Sequence, residues 1–225
     1  MESSRSAPLD AAELLTALAR HDVDCVLIGG AAMQVHGHVR TTQDVDVVAA
    51  WTAENMRALA AALDELDATI RGVDADLLGI DLTDARQLHA GGNFLMHTRF
   101  GDLDVLAAEQ TAGAPPYEQL RARAITVEIR GARLLIADPE DLIRMKSAAA
   151  RFRDRPEAKR RQDLDDITVL ERLRAERDAA AAARVLDATR DPTAAPESTS
   201  EHDPTARPRP SRTRRQPPQD RRRSR

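Results

Sequence analysis

The chain has 225 residues, of which 42% are hydrophobic and 31% charged, and its formal net charge is −4 at pH 7. This composition is typical of a globular protein with one sizeable core, and a single cysteine excludes a disulfide scaffold or a cysteine-based zinc site. No apolar run approaches the roughly 20 residues that span a bilayer, and no signal-peptide pattern is visible, so we expect a cytoplasmic protein with no membrane partner.

Charge is unevenly distributed along the chain. Residues 190–225 contain ten arginines, five acidic residues and seven of the twelve prolines. Such a segment buries too little apolar surface to offset the entropy of ordering, which predicts a disordered tail. The tail is either a solvated extension or a salt-sensitive contact for nucleic-acid phosphates.

The first half of the chain predicts two strands between helices. Asp10 is a good helix N-cap and Glu13 predicts a capping box with it, so a helix is expected from there to about residue 20. Apolar runs and turn residues predict the other elements: strands at 24–28 and 44–48, and helices at 31–36 and 52–66.

The second half predicts two hairpins and two helices, whereas residues 67–92 show no clear pattern. Asp138 and Pro139 are typical of a helix start. The predicted elements are hairpins that join 94–98 to 102–106 and 125–129 to 132–137, and helices at 138–152 and 156–188.

Together these elements predict an α/β (α+β) protein with a small mixed sheet flanked by helices. We expect a core at 1–137, a helical C-terminal part at 138–189 packed on that core, and the tail at 190–225.

Asp44 and Asp46 differ from the other Asp-x-Asp pairs of the sequence because they lie in a predicted strand between valines. Residues two apart in a strand point to the same face, so both carboxylates converge on one spot. Converging carboxylates repel each other unless a cation lies between them, and oxygen ligands suit Mg²⁺. Solvated carboxylates at a strand end are the alternative.

Gly29 and Gly30 connect the preceding strand to the start of a helix. Glycine lets the backbone approach a phosphate closely, and the free N–H groups of a helix start attract an anion. A plain turn is the alternative for this pair alone. An anion cradle beside a cation site, however, is what a nucleoside triphosphate and its metal require.

The stretch from Leu27 to Val48 reads LIGGAAMQVHGHVRTTQDVDVV. It resembles the signature of the nucleotidyltransferase (polymerase beta-like) superfamily, and it is most similar to the abortive-infection toxin transferases of the AbiEii kind, with their Arg-x-Thr-x-Asp-x-Asp ending. A looser similarity extends to about Leu170. The resemblance implies a small mixed sheet with flanking helices.

The resemblance implies that Asp44 and Asp46 bind two magnesium ions together with a third carboxylate on a neighbouring strand. Asp104 is our choice for that position, while Asp102 lies on the same face but at the predicted hairpin turn. These three carboxylates, Asp44, Asp46 and Asp104, would be the catalytic and metal-binding residues. Asp104 would also take the proton of the acceptor.

A nucleotide-binding set is also implied by the resemblance. Lys146 matches the Lys-x-x-Ala of the family and would pair with the triphosphate, with a lysine snorkelling from a half-buried face as the alternative. Arg40 would neutralise phosphate charge, unless it is a surface arginine. The full expected set is Gly29, Gly30, Ala31, Arg40, Thr42, Lys146 and Asp163.

Asp163 belongs to a segment, 160–167, that is similar to the family's Arg-x-Lys-Asp-x-x-Asp-(Ile/Leu), although Gln162 replaces the lysine. Helix-surface ion pairing is the alternative for Asp163 and Asp166. The expected apolar stripe of this helix is Leu164, Ile167 and Leu170.

The expected reaction moves a nucleoside monophosphate from an NTP to an acceptor hydroxyl and releases pyrophosphate. The toxin-like branch implies an RNA acceptor, with the tRNA 3′ end first, and a cognate antitoxin as a further partner. The net negative charge of residues 1–189 does not favour RNA, although basic residues at 151–161 counter it locally. The alternatives are a protein or small-molecule acceptor, and a non-catalytic nucleotide- or partner-binding module.

Overall fold

The computed structural model describes residues 7–72 and 79–190. Its strands are β1 Cys25–Ile28, β2 Asp44–Ala49, β3 Thr69–Ile70, β4 Phe94–Thr98, β5 Gly101–Leu106, β6 Ile125–Ile129 and β7 Ala132–Ile136. Its helices are α1 Ala11–Arg20, α2 Gly29–Val35, α3 Ala53–Glu65, α4 Ala85–Ala90, α5 Tyr117–Arg123, α6 Pro139–Ala150 and α7 Glu157–Arg190.

In the described part, the strands form one mixed sheet in the order β3-β4-β5-β2-β1-β7-β6, which confirms the predicted fold class. Strand β2 runs parallel to β5 and antiparallel to β1, and β1 runs parallel to β7. Both predicted hairpins, β4–β5 and β6–β7, are present. Arg130 and Gly131 join the second one with φ angles of 52° and 80°, as a tight two-residue hairpin turn requires.

The helix starts follow from the predicted caps. The side chains of Asp10, Thr52 and Asp138 accept hydrogen bonds from first-turn N–H groups of α1, α3 and α6. The capping box is only half formed, because the N–H of Asp10 donates to the carbonyl of Phe100 at 2.9 Å. The first helix is thereby tied to the β4–β5 hairpin.

The core is aliphatic and lies against the sheet. Alternation in β2 buries Val45 and Val47 while Asp44 and Asp46 lie on the opposite, partly exposed face. Fully buried side chains from α1, β1, α2, α3 and β5 complete the core, among them Leu14, Leu18, Leu27, Met33, Leu59 and Leu103. The sheet thus presents one polar row of carboxylates beside a packed interior.

Three expectations need correction. Helix α2 begins at Gly29, two residues before its predicted start, because the first glycine enters the helix with a φ of 65°. Residues 67–92 contain the short strand β3 and helix α4, whose cap is Asp84. Asp102 lies inside β5 rather than at a turn.

The chain divides into two compact units, Met1–Ala183 and Arg184–Arg225. The first contains the sheet. Of the second, the structure describes only the end of α7, so the predicted disordered tail lies outside the described residues except for Arg190. The division expected at residue 137 stays a prediction.

Within the described ranges, no helix combines the length and the apolarity needed to cross a membrane.

Candidate active site

Asp44, Asp46 and Asp104 form a carboxylate triad on the partly exposed face of the sheet. The parallel register of β2 and β5 places Asp46 beside Asp104 and Asp44 beside Asp102. One oxygen from each of Asp44, Asp46 and Asp104 lies within 4.8 Å of the others. Three oxygen donors at this spacing can hold a hard divalent cation.

Burial and the mutual repulsion of the triad carboxylates shift their pKa values. Burial, followed by the charges of Asp44 and Asp104, raises the pKa of Asp46 to about 7, although the charges of Lys146 and Lys159 oppose the shift. Burial also raises the pKa of Asp104, although the Arg71 guanidinium opposes the shift. A cation between these carboxylates would favour their ionised forms, so the donor set fits a metal.

The glycine turn lies directly against the triad. A Cβ atom on Gly29 would stand 2.0 Å from Oδ2 of Asp46, and the residue has a φ of 65°. Both facts require glycine here, the first for space and the second for backbone conformation. The strand–turn–helix connection therefore brings its backbone next to the carboxylates.

The loop before β2 closes over the second glycine. A Cβ on Gly30 would lie 2.6 Å from Oγ1 of Thr42 and 2.7 Å from Nη2 of Arg40. The Thr42 hydroxyl also lies 3.2 Å from Oδ1 of Asp44. Ala31, by contrast, has its side chain buried in the core, so only its backbone can reach a ligand. The loop places one cation, Arg40, and one hydroxyl, that of Thr42, against the second glycine.

Two further acids, Asp163 and Asp166, pair with the cations Lys146 and Arg155. We call these four residues the helical ion-pair cluster. The ammonium of Lys146 lies 2.7 Å from Asp166 and 3.5 Å from Asp163, and Arg155 donates to Asp163 at 2.6 Å. Arg40 reaches the same cluster, with its Nε 3.4 Å from Oδ1 of Asp166. The cluster thus connects α6 and α7 to the loop before β2.

The helical ion-pair cluster shifts the inward face of α7 from the expected one. Asp163 and Asp166 are 4% and 1% exposed, whereas Leu164 is 53% exposed. Of the predicted apolar stripe, Leu170 is buried as expected and Ile167 is half-buried, but the prediction for Leu164 is wrong. Paired charge explains the change, because buried acids are tolerated when cations neutralise them.

Sequence reasoning missed two residues beside the triad. Arg71, just after β3, donates to Asp102 at 3.0 Å and to both oxygens of Asp104 at 2.9 and 3.1 Å. His97 on β4 has its Nδ1 2.8 Å from Oδ1 of Asp102. No pattern marks Arg71, but the tight β4–β5 connection could have placed His97 opposite Asp102.

Residues 9–184 match the family described as "Nucleotidyltransferase of unknown function (DUF6036)". The chain belongs to this family. Nucleotidyl transfer is therefore the activity class of this DUF6036 member, which confirms the predicted enzyme class, while closeness to the AbiEii branch stays a prediction.

Solved structures also match this nucleotidyltransferase. One is the crystal structure of an antigenic nucleotidyltransferase-like protein from Paracoccidioides brasiliensis, 24% identical over 73% of this chain and 78% of that chain, with a TM-score of 0.43. The solution structure of the antibiotic-resistance factor ANT(2″)-Ia is 18% identical over 80% and 97% of the two chains, with a TM-score of 0.43. Its crystal structure in complex with adenylyl-2″-tobramycin is 17% identical over 74% and 94%, with a TM-score of 0.41. No curated protein matches the chain.

Proposed function

We propose that the protein is a Mg²⁺-dependent enzyme that transfers a nucleoside monophosphate from an NTP to an acceptor hydroxyl and releases pyrophosphate. The observation that carries the proposal is the approach of Asp44, Asp46 and Asp104 to within 4.8 Å of one another on one sheet face. Magnesium, as two ions, would supply charge neutralisation for the attacking and leaving oxygens. The role of these carboxylates is to hold the cations in place.

The phosphates would lie on the β1–α2 side of the triad. Gly29 and Gly30 would offer backbone there, with a smaller part for Ala31, and Thr42 would offer its hydroxyl. Arg40 supports this assignment, because its Nη2 would lie 2.7 Å from a Cβ at Gly30, so its guanidinium lies against the glycine turn. An anion at this turn would meet that positive charge.

Lys146 would add charge compensation for the triphosphate, and Asp163 would act through it. Lys146 is 11% exposed at its side chain and is held by Asp163 and Asp166 rather than extending into solvent. This arrangement supports a cation kept near the triad, since Lys146 already acts electrostatically on Asp46. In this proposal Asp163 orients the lysine and does not itself contact an anionic nucleotide.

The first acceptor class that we propose is RNA, with the tRNA 3′ end as the specific candidate. Exposed arginines after α6, namely Arg151, Arg153 and Arg161, support a phosphate contact near the helical ion-pair cluster. A toxin–antitoxin or phage-defence setting in the cytoplasm, with a cognate antitoxin, is part of the same proposal and rests on the sequence resemblance.

One observation favours a second candidate, a small-molecule or protein acceptor. On the β5 side of the triad, Arg71 forms ion pairs with both Asp102 and Asp104. That side therefore offers little positive charge to a polyanion. A neutral or cationic acceptor with a hydroxyl would meet less repulsion there.

A transfer assay tests the proposal and separates the acceptors. Purified protein is incubated with Mg²⁺, each α-labelled NTP in turn, and the RNA, protein and small-molecule fractions of a cell extract. Label on RNA that disappears in Asp46→Ala supports the first candidate, and label confined to another fraction supports the second. Intact NTP binding without label in any fraction would contradict the enzyme and favour a binding module.

A further inference from the structure

On the side of the triad opposite the proposed phosphate site, strands β5 and β4 carry further polar side chains. Displacement at phosphorus places the attacking and leaving oxygens roughly in line. If pyrophosphate leaves toward β1 and α2, the acceptor hydroxyl must approach over β5 and β4. The residues on that side are therefore those that meet the acceptor in the proposed reaction, on which this inference rests.

Asp44, Asp102 and His97 form a row across three adjacent strands. Asp44 pairs with Asp102 in the β2–β5 register, and Asp102 pairs with His97 in the β5–β4 register. Asp104 lies diagonally from His97 on the same face, a spacing of about 7–8 Å that long side chains span. His97 thus borders the triad on the acceptor side.

The contact with Asp102 orients the His97 ring. Nδ1 of His97 lies 2.8 Å from Oδ1 of Asp102, and Arg71 donates to the other oxygen of Asp102 at 3.0 Å. An ionised carboxylate only accepts, so Nδ1 is the nitrogen that donates to Asp102, and Nε2 is the nitrogen left to meet the acceptor hydroxyl. The His97 side chain is 23% exposed, which leaves the ring accessible to a substrate.

Asp104, the base that the sequence resemblance implies, is already engaged. Both of its oxygens accept from Nη2 of Arg71, at 2.9 and 3.1 Å. Its carboxylate is also one of the three that can hold a cation. A carboxylate that accepts from a guanidinium with both oxygens and also holds a cation is poorly placed to meet the acceptor hydroxyl.

We propose that His97, oriented by Asp102, is the catalytic base that accepts the proton of the acceptor hydroxyl. The lone pair of Nε2 takes that proton while the acceptor oxygen forms its bond to the α-phosphorus. The bond from the α-phosphorus to the bridging oxygen breaks, and pyrophosphate leaves with the electron pair. The imidazolium then returns the proton to water, so the ring is neutral for the next turnover.

The test compares the full-length wild type with His97→Ala, His97→Gln and a matched histidine. His21→Gln is the control, because His21 also pairs with a carboxylate, Glu65 at 2.7 Å, but lies at the end of α1. Single-turnover transfer is measured with Mg²⁺, α-labelled NTP and the three extract fractions. NTP binding and circular dichroism are measured on every variant, and transfer is repeated with added imidazole.

We expect both His97 variants to lose about 100-fold or more in transfer rate, with folding and NTP binding unchanged. Imidazole should restore His97→Ala by on the order of tenfold, which a purely structural role would not allow. His21→Gln should behave as the wild type. If His97→Ala does not fold, the test rests on His97→Gln: a loss of transfer rate in this folded variant, with intact NTP binding, supports the proposal.

A failure of the role proposed for His97 can be distinguished from a failure of the proposed function. Transfer by either folded His97 variant at the wild-type rate would overturn the role of His97 and leave the proposed function intact. A slow His97→Ala that imidazole does not restore, or that has lost NTP binding, would also overturn it in favour of a structural role. A wild type that transfers to no fraction would overturn the proposed function and this inference with it.

Discussion

The molecule contains two groups of buried or half-buried acids that differ in how their charge is balanced. In the helical ion-pair cluster, Asp163 and Asp166 each lie within 4 Å of Lys146, and Arg155 adds a second cation. In the carboxylate triad, Asp104 has such a partner, Arg71. Over residues 7–72 and 79–190, no lysine or arginine forms an ion pair with Asp44 or Asp46.

The difference indicates which group supplies its own counter-charge and which one does not. A charge-balanced cluster is complete within the chain and can hold α6, α7 and the loop before β2 together. The triad instead leaves Asp46 with a pKa of about 7, raised by burial and by its acidic neighbours. Unbalanced charge of this kind is typical of a site that takes a cation from solution.

The largest expected effect comes from removing a ligand of the triad. Asp46→Ala should reduce nucleotidyl transfer by about 1000-fold or more, because the electrostatic stabilisation of the reaction depends on the bound cations. Transfer of α-label at saturating Mg²⁺ measures this. Asp165→Asn, an exposed acid of α7, is the control and should retain full activity. Comparable activity in Asp46→Ala would remove the distinction between the two groups.

Breaking the helical ion-pair cluster should instead affect stability first. Asp166→Ala removes the nearest acid of buried Lys146 and leaves it only Asp163, at 3.5 Å, which we expect to cost about 1–3 kcal/mol in the free energy of unfolding. Urea denaturation of the variant and the wild type measures the change. Asp165→Asn again serves as the control, with an expected change within about 0.5 kcal/mol. A loss below about 1 kcal/mol would show that the cluster is not what holds α7 in place.

The pH dependence of stability distinguishes the triad in the metal-free protein. The folded-state pKa of Asp46, about 7, lies above its ordinary value of 3.8, so its contribution to stability is complete below pH 4 and is lost as pH rises through 7. The expected loss is on the order of 3 kcal/mol between pH 4 and pH 8. Urea denaturation in the presence of a chelator measures it.

Two controls sharpen the pH experiment. Asp46→Asn should lack this part of the pH dependence, since the amide does not ionise. Adding Mg²⁺ at pH 8 should recover stability in the wild type, because the cation binds the ionised carboxylates of the folded state. If the stability of the wild type depends on pH in the same way as that of Asp46→Asn, the raised pKa of Asp46 is contradicted.

The smallest effect is expected from substitution of Gly29, which we compare with Gly131, a glycine of similar φ angle. Gly29→Ala and Gly131→Ala both place a side chain at positive φ, at a cost of about 1–2 kcal/mol. Only at position 29 does the new Cβ overlap Asp46, at 2.0 Å from its Oδ2, whereas position 131 has open space. Transfer activity should therefore fall in Gly29→Ala and remain in Gly131→Ala. Equal activities would show that Asp46 moves aside without consequence.

Much of the fold could be predicted from local signals. Caps at Asp10, Thr52 and Asp138 mark helix starts, and the turn at Arg130 and Gly131 marks a hairpin, because these depend on neighbours in sequence. Helix α4 was missed although Asp84 and Gln87 have the spacing of a helix cap. Strand β3 has two residues, too few for any periodicity to show.

The candidate site was only partly predictable. Alternation in β2 predicts that Asp44 and Asp46 share a face, but the approach of Asp104 depends on the parallel β2–β5 pairing of distant segments. The burial of Asp163 and Asp166 was not predictable from α7 alone, because an acid in a helix is ordinarily solvated. Their cations, Lys146 and Arg155, lie on α6 and in the loop that follows it.

The sequence by itself determined the order of most elements and the turn at Gly29 and Gly30. It also determined that Asp44 and Asp46 share one strand face. These features depend on steric and periodic rules that act within a few residues. The tertiary structure decided which acids are neutralised. Only folding brings Arg71 to Asp102 and Asp104, His97 to Asp102, and Lys146 to Asp166. Coulomb interactions act between neighbours in space, so the balance of charge that separates the triad from the helical ion-pair cluster is a property of the fold.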